Sequence, residues 1–270
     1  MTARTRKRLY QTVGACFTAA AFLSVYTPIA VILALSVNDS LKAYAWEGFT
    51  LRWYADLFAT DVMHDPIMNT LLVAILATLI ATVLGTFFAI GIHALDKTRR
   101  TRMMVLNNVP VVNPEIVTGI SLLIVFSLLG FTLGFHTVLI AHVFFGVPYV
   151  VLSVMPRLKK LDPNLYEAAL DLGCTRFSAV LRAIVPNVAT GILAGALMAF
   201  TMSIDDFVIT YFTSGSEYMN VSTWLYAAIG RSRSFTPAAY AYNAIIFLFT
   251  IAAIIFINSR KEKKEREVRR

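Results

Sequence analysis

The sequence predicts an all-α integral membrane protein with about six transmembrane helices. Of its 270 residues, 57% are hydrophobic and 15% are charged, and the mean hydropathy is +0.67. Soluble domains usually contain about 25% charged residues. The apolar residues also form runs that reach the roughly 20 residues needed to cross the hydrocarbon core as a helix. We therefore expect a single transmembrane domain, residues 1–270, in a lipid bilayer.

Six apolar runs follow one another along the chain. The first comes after a basic N-terminus and is longer than the apolar core of a signal peptide, so we expect an uncleaved helix. A less apolar stretch before the last run predicts a short surface helix near Ser222–Ile229. The predicted spans are Val13–Ser36, Ile67–Leu95, Met103–Leu129, Thr137–Met155, Val188–Phe212 and Ala241–Asn258.

Lysine and arginine residues are concentrated in alternate connecting segments, which predicts the orientation of the chain. The N-terminus, the turn at 97–102, the central loop at 156–187 and the charged tail at 259–270 are all basic. The segments between them contain four basic residues: Lys42, Arg52, Arg231 and Arg233. Both termini and the central loop are therefore expected in the cytoplasm. Because the net charge of +8 follows from this topology, no nucleic-acid partner is expected.

The central loop, residues 156–187, predicts two short amphipathic helices. Asp162 suits the cap of the first helix, Gly173 suits its left-handed end, and Thr175 suits the cap of the second. Pro186 either closes this segment or opens the next helix. Helices this short are not stable alone. Their apolar faces therefore pack either on the protein's own surface or in a groove of a cytoplasmic partner.

Two adjacent carboxylates lie inside the fifth predicted span, where a charged side chain costs at least about 2.5 kcal/mol. Asp205 and Asp206 are near its outer end, and Ser203 lies about one turn before Asp206. Adjacent helical residues project about 100° apart, so the two acids are expected to face different surroundings. Two interpretations remain open: a carboxylate site for a cation, or a helix-end pair that reaches water or caps the next segment.

Glu115 lies about 18 Å into the third predicted span. Pro110 and Pro114 predict a kink there, and the carbonyl groups that a kink frees line a cavity more readily than they face lipid. Glu115 is accordingly interpreted either as part of a substrate pathway or as a protonated or subunit-paired glutamate.

The first outer segment, residues 38–66, combines acidic and aromatic side chains, including Trp46. These aromatic residues form either an interfacial belt or a vestibule that attracts cations and stacks on them. The two cysteines and four histidines show no metal-site spacing, so no metal site is expected. His93 and His142 are interpreted as helix-end or packing residues.

The central loop carries a recognisable spacing. Glu167-Ala168-Ala169 is followed by three residues, then Gly173, then nine residues and a four-residue stretch that ends in Pro186. This spacing resembles the EAA coupling loop of ABC-importer permeases, with Ala183 and Val185 at positions where that pattern prefers Ile and Leu. In that family the loop docks into the ATP-hydrolysing subunit. The resemblance implies that Glu167, Ala168, Ala169 and Gly173 make this contact here.

Further stretches resemble the spermidine/putrescine branch of these permeases, and in particular its second permease subunit. The matching groups are Trp46–Thr50 with Trp53-Tyr54, Pro114–Ile116 with Gly119–Leu123, and Ser203–Asp206 with Phe212–Gly215. The region Pro237–Asn243 departs from the pattern because it lacks an acidic residue after the proline. The resemblance implies a type I ABC-importer permease fold (MetI-like) in the bacterial inner membrane. It also implies a substrate pathway that includes Asp205, Asp206, Glu115, Ser203 and Trp46.

By this resemblance the chain is one of two homologous permease subunits of an ATP-driven polyamine importer. The other expected partners are a dimer of ABC ATPase subunits and an extracytoplasmic polyamine-binding protein. The chain contains no P-loop sequence, so we expect ATP and Mg to bind the partner ATPase and expect neither a cofactor nor an enzymatic activity in this chain. Three alternatives remain: a permease for another cationic solute or metal ion, a proton-coupled secondary transporter, and a membrane scaffold.

Overall fold

The computed structural model describes the backbone of residues 3–41, 45–59, 61–216, 218–232 and 237–268, and the side chains of 11–41, 45–57, 63–216, 218–228 and 237–252. The basic side chains of the N-terminus, Lys42, Arg231, Arg233 and the tail at 259–270 lie outside these side-chain ranges. The described residues form two compact units, a terminal unit of Met1–His64 with Leu225–Arg270 and a central unit of Asp65–Trp224.

The described backbone is helical, as predicted, and its β-structure is limited to one antiparallel bridge between Asn38 and Phe49. A π-helical turn, Val180–Ile184, joins α8 to α9. The helices are α1 Ala3–Ser36, α2 Arg52–Ala59, α3 Asp61–Ala94, α4 Lys97–Val112, α5 Glu115–Leu128, α6 Phe135–Leu158, α7 Leu165–Asp171, α8 Arg176–Ala179, α9 Val185–Ile204, α10 Val208–Thr213, α11 Val221–Ser232 and α12 Pro237–Val268.

Four of the described helical segments are long and apolar enough to cross a membrane, and α4 with α5 makes a fifth if the bent pair counts as one span. The four segments are Gln11–Ser36, Met63–Ala94, Phe135–Leu158 and Arg176–Ile204. The sixth predicted span corresponds to α12, whose described apolar part, Pro237–Ala252, is shorter. The prediction of an all-α membrane protein is confirmed. The predicted surface helix near Ser222–Ile229 corresponds to α11.

The third predicted span is broken rather than kinked. Helices α4 and α5 meet at an angle of 100°, with Asn113 and Pro114 between them. Asn113 has an extended backbone (φ −71°, ψ 135°) because a following proline disfavours the helical conformation. Pro110, by contrast, lies inside α4 without ending it. The sequence therefore correctly indicated a disturbed helix, but the continuous span Met103–Leu129 was wrong.

The fifth predicted span is wrong at both ends. It begins at Arg176 instead of Val188, since α8 continues through the π-helical turn into α9, and it ends at Ile204 instead of Phe212. The second short helix predicted in the central loop is present as α8, but it continues into the membrane span instead of ending before it. Proline in a helix removes a hydrogen bond and crowds the preceding turn. The π-helical turn Val180–Ile184, which ends two residues before Pro186, widens the backbone, so the helix passes the proline without ending.

Helix α7 ends as its sequence predicts. Gly173 has a φ of +84°, its N–H donates to Leu170 O over 2.9 Å, and the Cys174 N–H donates to Ala169 O over 3.1 Å. This pair of bonds is the Schellman arrangement, which favours glycine at the left-handed position. At the other end the prediction was wrong, because the residue before α7 is Asn164 and Asp162 instead accepts a hydrogen bond from the Asn164 N–H. Thr175 caps α8 as predicted by accepting from the Ser178 N–H at 3.3 Å.

The central unit is held together by close packing of α6 on α9. Its apolar core includes Val150, Val151, Val154, Leu158 and Val188, together with Ala89 and Ile92 of α3. Glycines on α9 permit this approach. A Cβ atom added at Gly195 would lie 2.8 Å from Val150 Cα, which is backbone and cannot move aside.

We expect Gly195→Ala to destabilise the folded protein by about 1–3 kcal/mol through overpacking. Gly91→Ala is the matched control, because a Cβ atom there meets nothing within 4 Å and alanine favours the helix. Thermal unfolding of the purified protein in detergent should show a lower midpoint for Gly195→Ala alone. Equal midpoints for the two variants would contradict the close α6–α9 packing.

Candidate functional site

A cavity of about 320 Å³ lies in the central unit at two helix breaks, α4–α5 and α9–α10. Irregular backbone at membrane depth is tolerated where it lines a cavity. We call this space the break cavity. It is lined by Pro110, Glu115, Thr118, Phe145, Tyr149, Thr201, Met202, Asp205, Asp206, Phe207, Val208 and Ile209.

Glu115 is the first residue of α5 and directly follows Pro114, which precedes the helix as its N-cap residue. This helix start places Glu115 at the break cavity. A carboxylate in the first turn of a helix is favoured by the helix dipole. Gly119, one turn further along α5, allows close packing of Phe212 of α10, whose ring carbon would lie 2.9 Å from an added Cβ atom. The glycine thus brings α5 against α10. The structure therefore places Glu115 in the lining of the same cavity as Asp205 and Asp206.

The two adjacent acids have different surroundings, as the sequence predicts, but they lie at a helix break instead of inside a helix. Asp206 is 9% exposed. Its carboxylate accepts hydrogen bonds from the Ile209 N–H (3.3 Å), the Thr210 N–H (2.8 Å) and the Thr210 hydroxyl (2.8 Å). Asp206 thus caps α10, which is one of the two interpretations left open by the sequence. Asp205 is exposed and lines the break cavity.

Ser203 belongs to a buried polar cluster and is not among the residues that line the break cavity. Its hydroxyl lies 2.6 Å from Nδ1 of His142, a residue of α6 that is 2% exposed. The prediction from the sequence that His142 is a helix-end or packing residue did not identify this cluster. The available signal was an ionisable side chain within an apolar span, since such residues usually have a polar partner.

Trp46 lies in the terminal unit and is 62% exposed. Its segment is folded back by Asn38, whose side chain donates to Ala45 O and accepts from the Glu47 N–H. The cation–π contact found in this segment is internal, with the Arg52 guanidinium 4.3 Å from the Trp53 ring centroid. Trp46 takes no part in that contact and presents its ring to the outside.

The four residues with the coupling-loop spacing lie together on α7 and at its end. Glu167 and Ala168 are exposed, Ala169 is half-buried, and Gly173 forms the left-handed terminus. Leu172, directly before the glycine, is 86% exposed. A large apolar side chain at the tip of a short helix matches a surface that packs on another protein.

Residues 81–263, more than half of the chain, match the family model described as binding-protein-dependent transport system inner membrane component. The chain belongs to this family. The family resemblance drawn from the central loop and the other motifs is thereby confirmed. The protein is a transport permease and a multi-pass membrane protein.

Relatives of this permease carry names that refer to polyamines. It is 31% identical to the spermidine/putrescine transport system permease protein PotC of Escherichia coli K12, over 88% of this chain and 90% of that protein. It is 33% identical to the putrescine transport system permease protein PotI of the same organism, over 72% of each. A PotC homolog of Mycoplasma genitalium is 26% identical over 90% of this chain and 88% of that protein.

Solved structures confirm the importer fold. A chain of a bacterial ABC transporter involved in the import of the acidic polysaccharide alginate matches with a TM-score of 0.67 at 15% identity, covering 95% of this chain and 98% of that one. A chain of an amino acid ABC transporter matches with a TM-score of 0.57 at 17% identity, covering 77% and 98%. At these identities the likeness extends to the fold of an ABC-importer permease.

Proposed function

We propose that this permease forms half of the translocation pathway of an ATP-driven importer for polyamines. The observation that carries the proposal is the meeting of Glu115 and Asp205 in one cavity that is also lined by the aromatic side chains Phe145 and Tyr149. The spermidine and putrescine named for its relatives PotC and PotI support the same cargo.

The chemistry of the break cavity suits a linear polyamine. Such a molecule carries ammonium groups that are separated by short methylene chains. Carboxylates form charge-assisted hydrogen bonds with the ammonium groups. The aromatic face of Tyr149 attracts a cationic group of the polyamine. The hydroxyl oxygens of Tyr149, Thr118 and Thr201 accept hydrogen bonds from its remaining N–H groups. No covalent chemistry is required, because transport only needs sites that bind and release the cation.

The proposal includes three partners and no cofactor in this chain. An extracytoplasmic binding protein delivers the substrate, a homologous permease completes the pathway, and a dimer of ATPase subunits binds ATP and Mg. The exposed α7 end, with Glu167 and Leu172, is proposed to dock into an ATPase subunit. Both termini and the α7 loop are then on the cytoplasmic side, in agreement with the distribution of basic residues.

The proposal predicts that Asp205→Asn lowers ATP-dependent uptake of labelled spermidine by about tenfold or more. The loss of one charged hydrogen bond removes about 1.5–3 kcal/mol, and each 1.4 kcal/mol is about a factor of ten. Uptake is measured in vesicles that contain the chain with its co-purified partners. Asp96→Asn is the matched control, because Asp96 caps α4 away from the break cavity and asparagine caps a helix equally well.

Equal uptake by Asp205→Asn and the unchanged protein, at matched amounts, would remove Asp205 from the pathway. Excess unlabelled spermidine should block uptake. ATP hydrolysis without spermidine uptake would agree with a role as an ABC permease but would contradict a polyamine as the cargo. The cargo would then be another cationic solute or a metal ion. Uptake driven by a proton gradient without ATP would contradict the importer mechanism.

A further inference from the structure

We infer that His142 is a positioning residue that holds the two sides of the α9–α10 break together. It thereby keeps the Asp206 carboxylate in the buried cluster and leaves Asp205 as the exposed acid of the break cavity. The expected effect of His142 on transport rests on the proposed function, whereas its role in the geometry of the α9–α10 break does not. His142 lines none of the break cavity itself and acts through the residues that it contacts.

The ring of His142 touches both sides of the break. Nδ1 lies 2.6 Å from the Ser203 hydroxyl in the last turn of α9. Nε2 lies 3.0 Å from the Thr210 hydroxyl in α10 and 3.4 Å from Asp206 Oδ2. All four side chains are buried. One imidazole ring from α6 therefore spans the non-helical residues Asp205–Phe207.

The hydrogen bonds around Thr210 determine which ring nitrogen carries the proton. The Thr210 hydroxyl donates its single hydrogen to Asp206 Oδ2 at 2.8 Å and accepts from Asn220 Nδ2 at 3.2 Å. Its remaining contact, with His142 Nε2, must then be a hydrogen bond that the histidine donates. In the neutral ring Nδ1 accepts, and the Ser203 hydroxyl supplies that hydrogen. A neutral histidine fits this position because one ring nitrogen donates a hydrogen bond while the other accepts one.

The cluster also fixes the direction of Asp206. Three donors of α10 and the nearby Nε2–H surround its carboxylate, and Asn220 donates to its backbone carbonyl at 3.0 Å. With Asp206 turned inward, the neighbouring Asp205 side chain is directed to the break cavity. The far end of α10 is held separately, because Thr137 donates to Thr213 O at 2.7 Å. Loss of His142 should therefore shift the break without detaching α10.

The test uses the full chain in its complex, with Cys16 and Cys174 replaced by serine and with Asp205→Cys as the reporter. The rate at which the reporter thiol reacts with a cationic methanethiosulfonate reagent is measured in membranes. We expect His142→Leu to lower this rate at least about fivefold, because leucine fills the volume but has no donor for Thr210. His142→Gln should stay within about twofold, because its amide N–H reaches the position of Nε2–H.

The matched control for the labelling is Leu128→Cys in the same cysteine-free background. Leu128 is 82% exposed at the end of α5. Its thiol should react at the same rate with and without the His142 substitutions, because no contact of His142 extends to that residue.

A second comparison covers the case in which His142→Leu does not fold. His142→Asn keeps a polar group near Ser203 but does not reach Thr210, so it should lower the labelling rate at position 205 whereas His142→Gln does not. The inference would be overturned if every folded variant that lacks the Nε2 donor were labelled at position 205 within about twofold of the rate with His142 unchanged, or faster.

The labelling needs neither substrate nor ATP, so it separates the two proposals. If labelling changes as expected while the unchanged protein takes up no spermidine, the proposed cargo fails and the positioning role stands. If the unchanged protein takes up spermidine and the labelling does not respond to His142, the positioning role fails alone. If both proposals hold, spermidine uptake should fall about tenfold in His142→Leu and be retained in His142→Gln.

Discussion

Replacing Asp206 with alanine is expected to lower the free energy of unfolding by about 3 kcal/mol. The substitution leaves the N–H groups of Ile209 and Thr210 without their acceptor, as well as the Thr210 hydroxyl. It also removes the carboxylate beside His142 Nε2. These groups are buried, and unsatisfied polar groups are most expensive where water cannot replace the lost partner.

Asp205→Ala is the matched control for this prediction. It changes the same residue type one position away, but the Asp205 side chain is exposed. A surface substitution of this kind usually alters stability by no more than about 0.5 kcal/mol. The measurements are the amount of protein in the membrane and the unfolding midpoint in detergent. If Asp205→Ala were the less stable of the two, the division of roles between these acids would be wrong.

Replacing Gly173 with valine is expected to reduce spermidine-stimulated ATP hydrolysis by about tenfold or more while the permease still assembles with its partners. A β-branched residue at the φ of +84° found here is strained, at a cost of roughly 1–2 kcal/mol for the left-handed conformation alone. The strain opens the Schellman end of α7 and displaces Leu172, the exposed side chain that we propose to meet the ATPase.

Asparagine at the same position provides the control. It tolerates the left-handed conformation, so Gly173→Asn should retain most of the stimulated hydrolysis. Co-purification of the ATPase with each variant reports assembly, and hydrolysis with and without substrate reports coupling. Full stimulation in Gly173→Val would show that the α7 end does not transmit the signal. Equal loss in both variants would mean that the requirement lies in the absence of a side chain and not in the backbone angle.

Local features of the fold were predictable because their causes are local. The end of α7 at Gly173 and the cap at Thr175 each depend on a few neighbouring residues, and both are confirmed. Pro114 similarly indicated a disturbed helix, since proline restricts the residue before it. The size of the bend, 100°, was not predictable, because it depends on what packs around α5.

The end of α9 shows the opposite case. Hydropathy continues across Ile204 and into Val208–Thr213, so the apolar pattern favoured one span up to Phe212. At the break, the Asp206 carboxylate accepts hydrogen bonds from α10 and lies 3.4 Å from Nε2 of a histidine of α6. That histidine is 61 residues from Ser203 and 68 residues from Thr210 in sequence. No periodicity in a window of ten or twenty residues contains such a pairing.

The sequence by itself determined that this protein is a helical membrane permease and which family it belongs to, because composition, apolar run length and motif spacing are properties of the linear chain. Both Asp205 and Asp206 line the break cavity, and the tertiary structure alone decided which of the two is exposed there and which is buried. Asp205 and Asp206 are chemically identical, and the choice between them depends on hydrogen bonds from His142, Thr210 and Asn220. Those groups come together only when α6, α9 and α10 pack, since burial is what makes each unsatisfied donor costly enough to select one arrangement.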